Sequence, residues 1–448
     1  MKETYVQNTQ FITLLILIYV IGVWFEPIVY LLFPFVFGMF GLKKRFLELF
    51  ITSFWLLILS DYVPVSGATF ADLKFAKTLK PLIPIFLFGF YFINRDKFPS
   101  VSKLFTRLIP FFLIALIALK YSINLDVGIK KYISFVLMYF SIPMFVNYLH
   151  ISYGEYFWKL LFTFIIGMLF IGILLGIFIP EIGILSGGRF KGILGNPNAL
   201  GIFLNLTFIL WIVIKEFNLA YFSQKENLFI IVVILVSLFW CGSRNGMMSI
   251  FLFYLTYRFV KIHWAIAVVV VISVIVFQDL IFSIFIEFLK FFQLSDYFRV
   301  DTIEKGSGRK VAWVFAWQEI QKYFFIGGSF GHDENVMRPN YYWLERLGHN
   351  GGVHNSYLSM WFDTGVIGLV FYYLSLLINV FKSLGSNYIG LAFLVSILFN
   401  INYESWLVAS LNPFTILFLI ILTIFVEQLN GFASEMDSQN LDIINVEN

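Results

Sequence analysis

Apolar and polar residues alternate along this chain in long blocks. Apolar runs cover roughly 11–25, 27–41, 46–61, 80–93, 107–119, 131–147, 158–179, 199–215, 227–241, 247–260, 264–282, 355–381, 387–402 and 411–428. A helix needs about 17–25 apolar residues to cross hydrocarbon. In lipid the backbone must satisfy its own hydrogen bonds, which leaves helices or a closed barrel. The two-residue alternation of a barrel is absent. The pattern predicts an all-α polytopic membrane protein with about 12–14 transmembrane helices. The first two runs are short and divided by Glu26-Pro27, so a re-entrant hairpin is the alternative there.

The polar breaks are short, with one exception. Between the eleventh and twelfth runs lies a long loop, 283–353. It opens with IFSIFIEFLKFFQLSDYF, aromatic and amphipathic, which suits a helix lying in the membrane interface. A second helix is expected near Arg309 to Tyr323, followed by the glycine-rich IGGSFG. Loops of this length are usually functional. The chain therefore divides into N-terminal transmembrane helices (1–180), a region carrying the chemistry (181–430, loop included), and a polar, acidic tail (431–448) expected to be disordered and cytoplasmic. Met1 to Gln10 is polar, and no small-residue cleavage site follows the first apolar run, so that run reads as an anchor helix.

Composition sharpens this picture. Hydrophobic residues make up 60% and charged residues 13%, against about 45–50% and 25% in soluble domains. The net charge of +4 is small, and no basic tract suited to nucleic acid is present. Cys241, the single cysteine, has no internal disulfide partner. Lys and Arg in the short loops divide 14 to 9 in favour of the side holding the N-terminus. By the positive-inside rule, the N-terminus is cytoplasmic and the long loop extracytoplasmic.

In this topology four polar clusters face the outer side. They are GGRFKGILGNPNALG with Arg189 and Lys191, CGSRNG with Arg244, KGSGRKVAW with Arg309 and Lys310, and GVHNSYL with His354. Guanidinium groups bind phosphate oxygens in a bidentate way. A histidine takes up a proton near neutral pH. Together they suit transfer of a group from a phosphate ester, the arginines neutralising a leaving diphosphate. No metal-ligand spacing, P-loop or dinucleotide fingerprint competes; Asp333-Glu334 is the nearest acidic pair.

Plainer roles exist for each residue. Asn355 or Ser356 could cap a helix, Arg309 could pair with Glu304, and Arg189 and Lys191 could touch lipid headgroups. Asn196 and Asn198 flank Pro197 and are expected to shape a turn. His332 and His349 are expected to be solvated loop residues. Trp313 and Trp317 share a helical face, as a sugar platform or an interfacial anchor. Glu404, near an outer turn, could contact sugar.

HNSYLSMWFDTGVIG, from His354 to Gly368, resembles the His-Asn, nine residues, Gly-x-x-Gly signature of the O-antigen ligase and Wzy-type polymerase superfamily. SRNGM with Arg244 and Met248, GSGRKVAW with Arg309 and Trp313, and RFKGILGNPNALG are similar to its other motifs, in the same order over about 187–370. Departures are Leu369 in place of a Thr common in ligases, Phe324-Phe325 in place of a Pro, Ser329 in place of a Gly, and Asp363 in place of a Glu. The absent Thr tilts the reading from ligase toward polymerase.

The resemblance implies a bacterial inner-membrane glycosyltransferase, active at the periplasmic face on undecaprenyl-diphosphate-linked oligosaccharide, without metal or cofactor. His354 would be the base on the acceptor hydroxyl, with Arg244 and Arg309 on the donor diphosphate. Further substrate contacts would come from Arg189, Lys191 and Lys310, and from Trp313, Asn355, Tyr357 and Glu404. A chain-length regulator and a flippase are the implied partners, alongside membrane lipid. A polymerase would use a second lipid-linked repeat unit as acceptor; a ligase would use lipid A core. The alternative from another class is a flippase or transporter for the same lipid-linked glycan. It would place charges at mid-membrane and show repeats, whereas these runs are nearly free of charge and no repeat is visible.

Overall fold

The structure, a computed structural model, describes residues 2–64, 73–185, 188–293, 295, 309–349, 351–383 and 388–431. Every predicted apolar run is helical: Lys2–Trp24, Glu26–Leu42, Phe46–Asp61, Leu82–Ile93, Lys103–Ala118, Leu125–Tyr153, Glu155–Phe178, Pro197–Glu216, Gln224–Cys241, Arg244–Val260, Trp264–Val276, Ser356–Ser383, Ile389–Ile401 and Pro413–Glu427. Six helices among the described residues are long and apolar enough to cross a membrane by length and composition, and shorter apolar helices accompany them. The protein is thus an all-α polytopic membrane protein. One expectation is corrected. The run 264–282 is not one helix; it breaks at Phe277, and a new helix spans Gln278–Phe291.

Helix starts follow local chemistry. Ser223 and Glu226 form a reciprocal capping box. Asn196 and Asn412 each cap a helix whose first residue is proline, a position where the missing N–H costs nothing. Asn196, expected to shape a turn, thus caps the helix that follows it.

Pro413–Glu427 is buried along almost its whole length and forms the axis of the bundle. Large apolar side chains such as Leu31, Phe92 and Phe178 face outward, as a lipid-facing surface requires.

Loops assigned to one side by counting crossings do gather at one end. There Lys191 Nζ donates to the Val63 carbonyl at 2.6 Å, Arg189 Nε to the Cys241 carbonyl at 3.0 Å, and Lys131 Nζ to Glu334 at 2.7 Å. At the opposite end Glu427 accepts from Ser102 Oγ at 2.7 Å and the Lys103 N–H at 2.8 Å, and Lys261 meets Glu216 at 2.6 Å.

The long loop carries short helices, Arg309–Ile320, His332–Met337 and Tyr341–Arg346. They enclose a small core of their own, with Ala312, Ala316, Ile320, Met337, Leu344 and Val353 packed around Phe362 of the membrane helix. The IGGSFG turn locks into a break in that helix. Gly365 adopts φ 68°, ψ 178°, a region open essentially to glycine alone. The Val366 N–H donates to the Phe324 carbonyl at 2.8 Å, and the Gly328 N–H to the Phe362 carbonyl at 2.8 Å. A Cβ on Gly365 would stand 2.2 Å from the Phe325 carbonyl carbon. Asp363 accepts from the N–H groups of Gly331 at 3.1 Å and His332 at 3.0 Å, so it caps the short helix His332–Met337 and stays inside the protein. Glu304 and the tail after Gly431 lie outside the described residues.

Candidate functional site

The site is organised by the turn 400–406, between the helices Ile389–Ile401 and Pro413–Glu427. Asn400 is fully buried. Its Nδ2 donates to Ser249 Oγ at 3.1 Å and its Oδ1 accepts from Trp406 Nε1 at 2.9 Å. Buried amides demand such partners, and here they fix the turn against the helix Arg244–Val260. Asn245 Nδ2, one residue past Arg244, donates to the Asn400 carbonyl at 3.1 Å. Asn355 Nδ2, one residue past His354, donates to the Asn402 carbonyl and to its Oδ1, each at 3.1 Å. Ser356 Oγ donates to the Glu404 carbonyl at 2.6 Å.

Three segments distant in sequence therefore meet at one turn. Glu404 stands at the junction, 7% exposed. Its Oε1 pairs with Arg309 Nη2 at 2.9 Å, and its Oε2 faces His354 Nδ1 at 3.8 Å. The Arg309 guanidinium also lies over the Tyr403 ring, 5.7 Å from its centre, a cation–π arrangement.

His354 has φ +48°, uncommon for a residue with a Cβ. Its neighbours hold it there. Trp313 Nε1 donates to the Val353 carbonyl at 3.1 Å, and Asn355 Oδ1 accepts the Leu358 N–H at 3.0 Å, capping the helix that follows. A Cβ on Gly351, itself at φ +116°, would stand 2.8 Å from His354 Nε2. The His354 side chain keeps 33% exposure, enough for a ligand to reach it.

The other site residues divide in two. Arg189 donates to the carbonyls of Cys241 (3.0 Å) and Gly242 (3.2 Å) and to Asn198 Oδ1 (3.3 Å), holding the turn that leads into Arg244. Lys191 is buried over the Tyr62 ring at 4.0 Å. Burial pulls its ammonium down to about 8, partly opposed by Asp61. Tyr357 donates its hydroxyl to the Leu398 carbonyl at 3.0 Å, clamping two helices. Arg244 is partly buried at its helix start and Lys310 is exposed.

Two expectations are corrected. His332 and His349 are not solvated; they are 1% and 3% exposed. His332 sits edge-on to Tyr323, ring centres 4.5 Å apart, and burial pulls its pKa down to about 4. His349 Nε2 lies 2.9 Å from the Gly352 carbonyl, its ring 5.8 Å from that of His354. Burial holds its pKa below the ordinary value, and the Arg309 charge acts in the same sense. Sequence reasoning also gave Glu404 no neighbours. The available signal was NINYESW, a polar break between two apolar runs.

Fold and contacts together give a helical membrane protein with a candidate site at one end of its bundle, where Arg309, Glu404 and His354 meet. Residues 229–373 match the family model described as O-antigen ligase, a match that supports the O-antigen ligase and Wzy-type superfamily. The matched stretch contains Arg244, Arg309 and His354, and leaves Arg189, Lys191 and Glu404 outside. A search of curated proteins finds no match.

Proposed function

We propose that the protein is a glycosyltransferase that polymerises polyprenyl-diphosphate-linked oligosaccharide units at the outer face of a bacterial inner membrane. The observation that carries this reading is the meeting of Arg309 and His354 at the turn 400–406, which also holds the start of the Arg244 helix. In the proposed reaction His354 takes the proton from the acceptor hydroxyl. The hydroxyl oxygen bonds to the donor's anomeric carbon from the face opposite the phosphate. The anomeric carbon–phosphate oxygen bond breaks, and polyprenyl diphosphate leaves with one more negative charge. Arg309 and Arg244 receive that charge, a preorganised electrostatic contribution that calls on no metal. The site at the end of an apolar bundle suits a donor whose lipid stays in the membrane while its diphosphate stands at the interface. The matched family model favours a second reading by its description, a ligase whose acceptor is lipid A core.

The test uses purified protein in lipid, synthetic undecaprenyl-diphosphate repeat units, and lipid A core present or absent. A ladder of products from the repeat units alone, lost in His354→Ala, is the expected outcome. Product only with core identifies a ligase. No product with either acceptor returns the transporter reading.

A further inference from the structure

Glu404 is an unexpected neighbour for an anion site. A carboxylate placed where a diphosphate is meant to bind repels it. Yet Glu404 Oε1 takes the Arg309 guanidinium at 2.9 Å while Oε2 faces His354 at 3.8 Å. The pair is largely enclosed, with side-chain exposures of 18% for Arg309 and 10% for Glu404. The turn behind Glu404 is tied down, because Ser356 holds its carbonyl and Asn400 and Asn402 are bonded on either side of Ile401.

We propose that Glu404 is a positioning residue that holds Arg309 before the donor binds, yields it to the donor's diphosphate, and then serves His354 alone. This rests on the glycosyl-transfer reading. Through the exchange Arg309 keeps an anionic partner. The arriving diphosphate replaces one carboxylate on Arg309, and the released carboxylate faces an imidazole that becomes cationic once it takes the acceptor's proton. Among the described residues, the charged and titratable groups around His354 are Glu404 from the turn, Arg309 from the loop helix and His349 from its own loop. Of these described groups Glu404 is the anionic one, placed to stabilise the imidazolium. Donor binding and base activation are thereby coupled: until a diphosphate takes Arg309, the carboxylate is shared.

The consequence is an unusual mutational signature. Glu404→Gln removes the competitor for Arg309 and removes the imidazolium's partner together. Inorganic pyrophosphate, titrated onto the full-length protein in lipid, should bind Glu404→Gln about tenfold more tightly than wild type, a difference of about 1.4 kcal/mol. Turnover of the lipid-linked donor should fall about 100-fold, with KM unchanged or lower. Glu404→Asp should restore part of the turnover. Arg309→Ala should lose the gain in pyrophosphate binding when combined with Glu404→Gln.

Weaker pyrophosphate binding in Glu404→Gln overturns the proposal, and so does unchanged turnover. Loss of binding and turnover together, with a lowered melting temperature, means that Glu404 merely supports the fold and also overturns it. Tighter pyrophosphate binding by Glu404→Gln in a protein whose wild type transfers no glycan keeps the competition for Arg309 while removing the transferase reading.

Discussion

At the scale of single residues, burial decides more than sequence neighbourhood. His332 lies in a polar loop between Gly331 and Asp333, and nothing in that context announces a buried ring. It is buried because the Gly-rich turn folds over it; a Cβ on Gly328 would stand 2.4 Å from its Cγ. Its folded pKa of about 4 lies below the unfolded value near 6.5. The unfolded chain therefore binds more protons between those values. The stabilising effect of the neutral ring is complete above about pH 6.5 and is lost as pH falls toward 4, amounting to up to about 3 kcal/mol. Thermal unfolding in detergent should show a midpoint that drops over that window in wild type and drops less in His332→Leu. Parallel pH dependences for the two proteins would refute a neutral buried His332. The motif residues were legible because their chemistry is unusual: an arginine in a tight turn and a histidine at the lip of an apolar run. Glu404 was legible only as a polar residue near an outer turn. Its partners lie 95 and 50 positions away in the chain, and single-sequence patterns carry no such distances.

At the scale of elements, apolar run length was sufficient to place the helices, since hydrocarbon thickness and backbone bonding leave few alternatives. What run length could not show is a helix broken on purpose. The Gly-x-x-Gly segment was legible as a motif, but its physical use became clear only in the fold. Gly365 turns the helix aside, and Gly327, at φ +79°, approaches so closely that a Cβ there would stand 2.5 Å from the Gly365 nitrogen. The two segments therefore pack backbone against backbone. Gly365→Ala has to move backbone and adopt a strained φ, so the melting temperature should fall by many degrees and the loop helices should become protease-sensitive. Gly167→Ala is the matched control, because the added carbon meets no neighbouring segment within 4 Å and alanine favours a helix interior. Equal melting temperatures for Gly365→Ala and wild type would show that the turn does not dock in the break.

At the scale of the whole molecule, the useful constraint was parity. Each crossing swaps sides, so loops separated by an even number of spans must share a face. The contacts obey this at both ends: Arg189 with Cys241 at one, Glu427 with Ser102 at the other. Parity fixes which loops go together and is silent about which end faces the cytoplasm. The 14 to 9 division of Lys and Arg points the site outward, and the proposed transfer reaction would require the same, since a growing glycan must be built on the side where it remains. Orientation is therefore a test of both. With Cys241, which is buried, replaced by serine, single cysteines at Glu345 and Lys225 sit at exposed positions on opposite ends. In right-side-out membrane vesicles, a membrane-impermeant maleimide should label Glu345→Cys at once and Lys225→Cys only after permeabilisation. The reverse pattern would place His354, Arg309 and Glu404 in the cytoplasm. There a lipid-linked donor would meet the site before translocation, and polymerisation at the outer face could not be this protein's work.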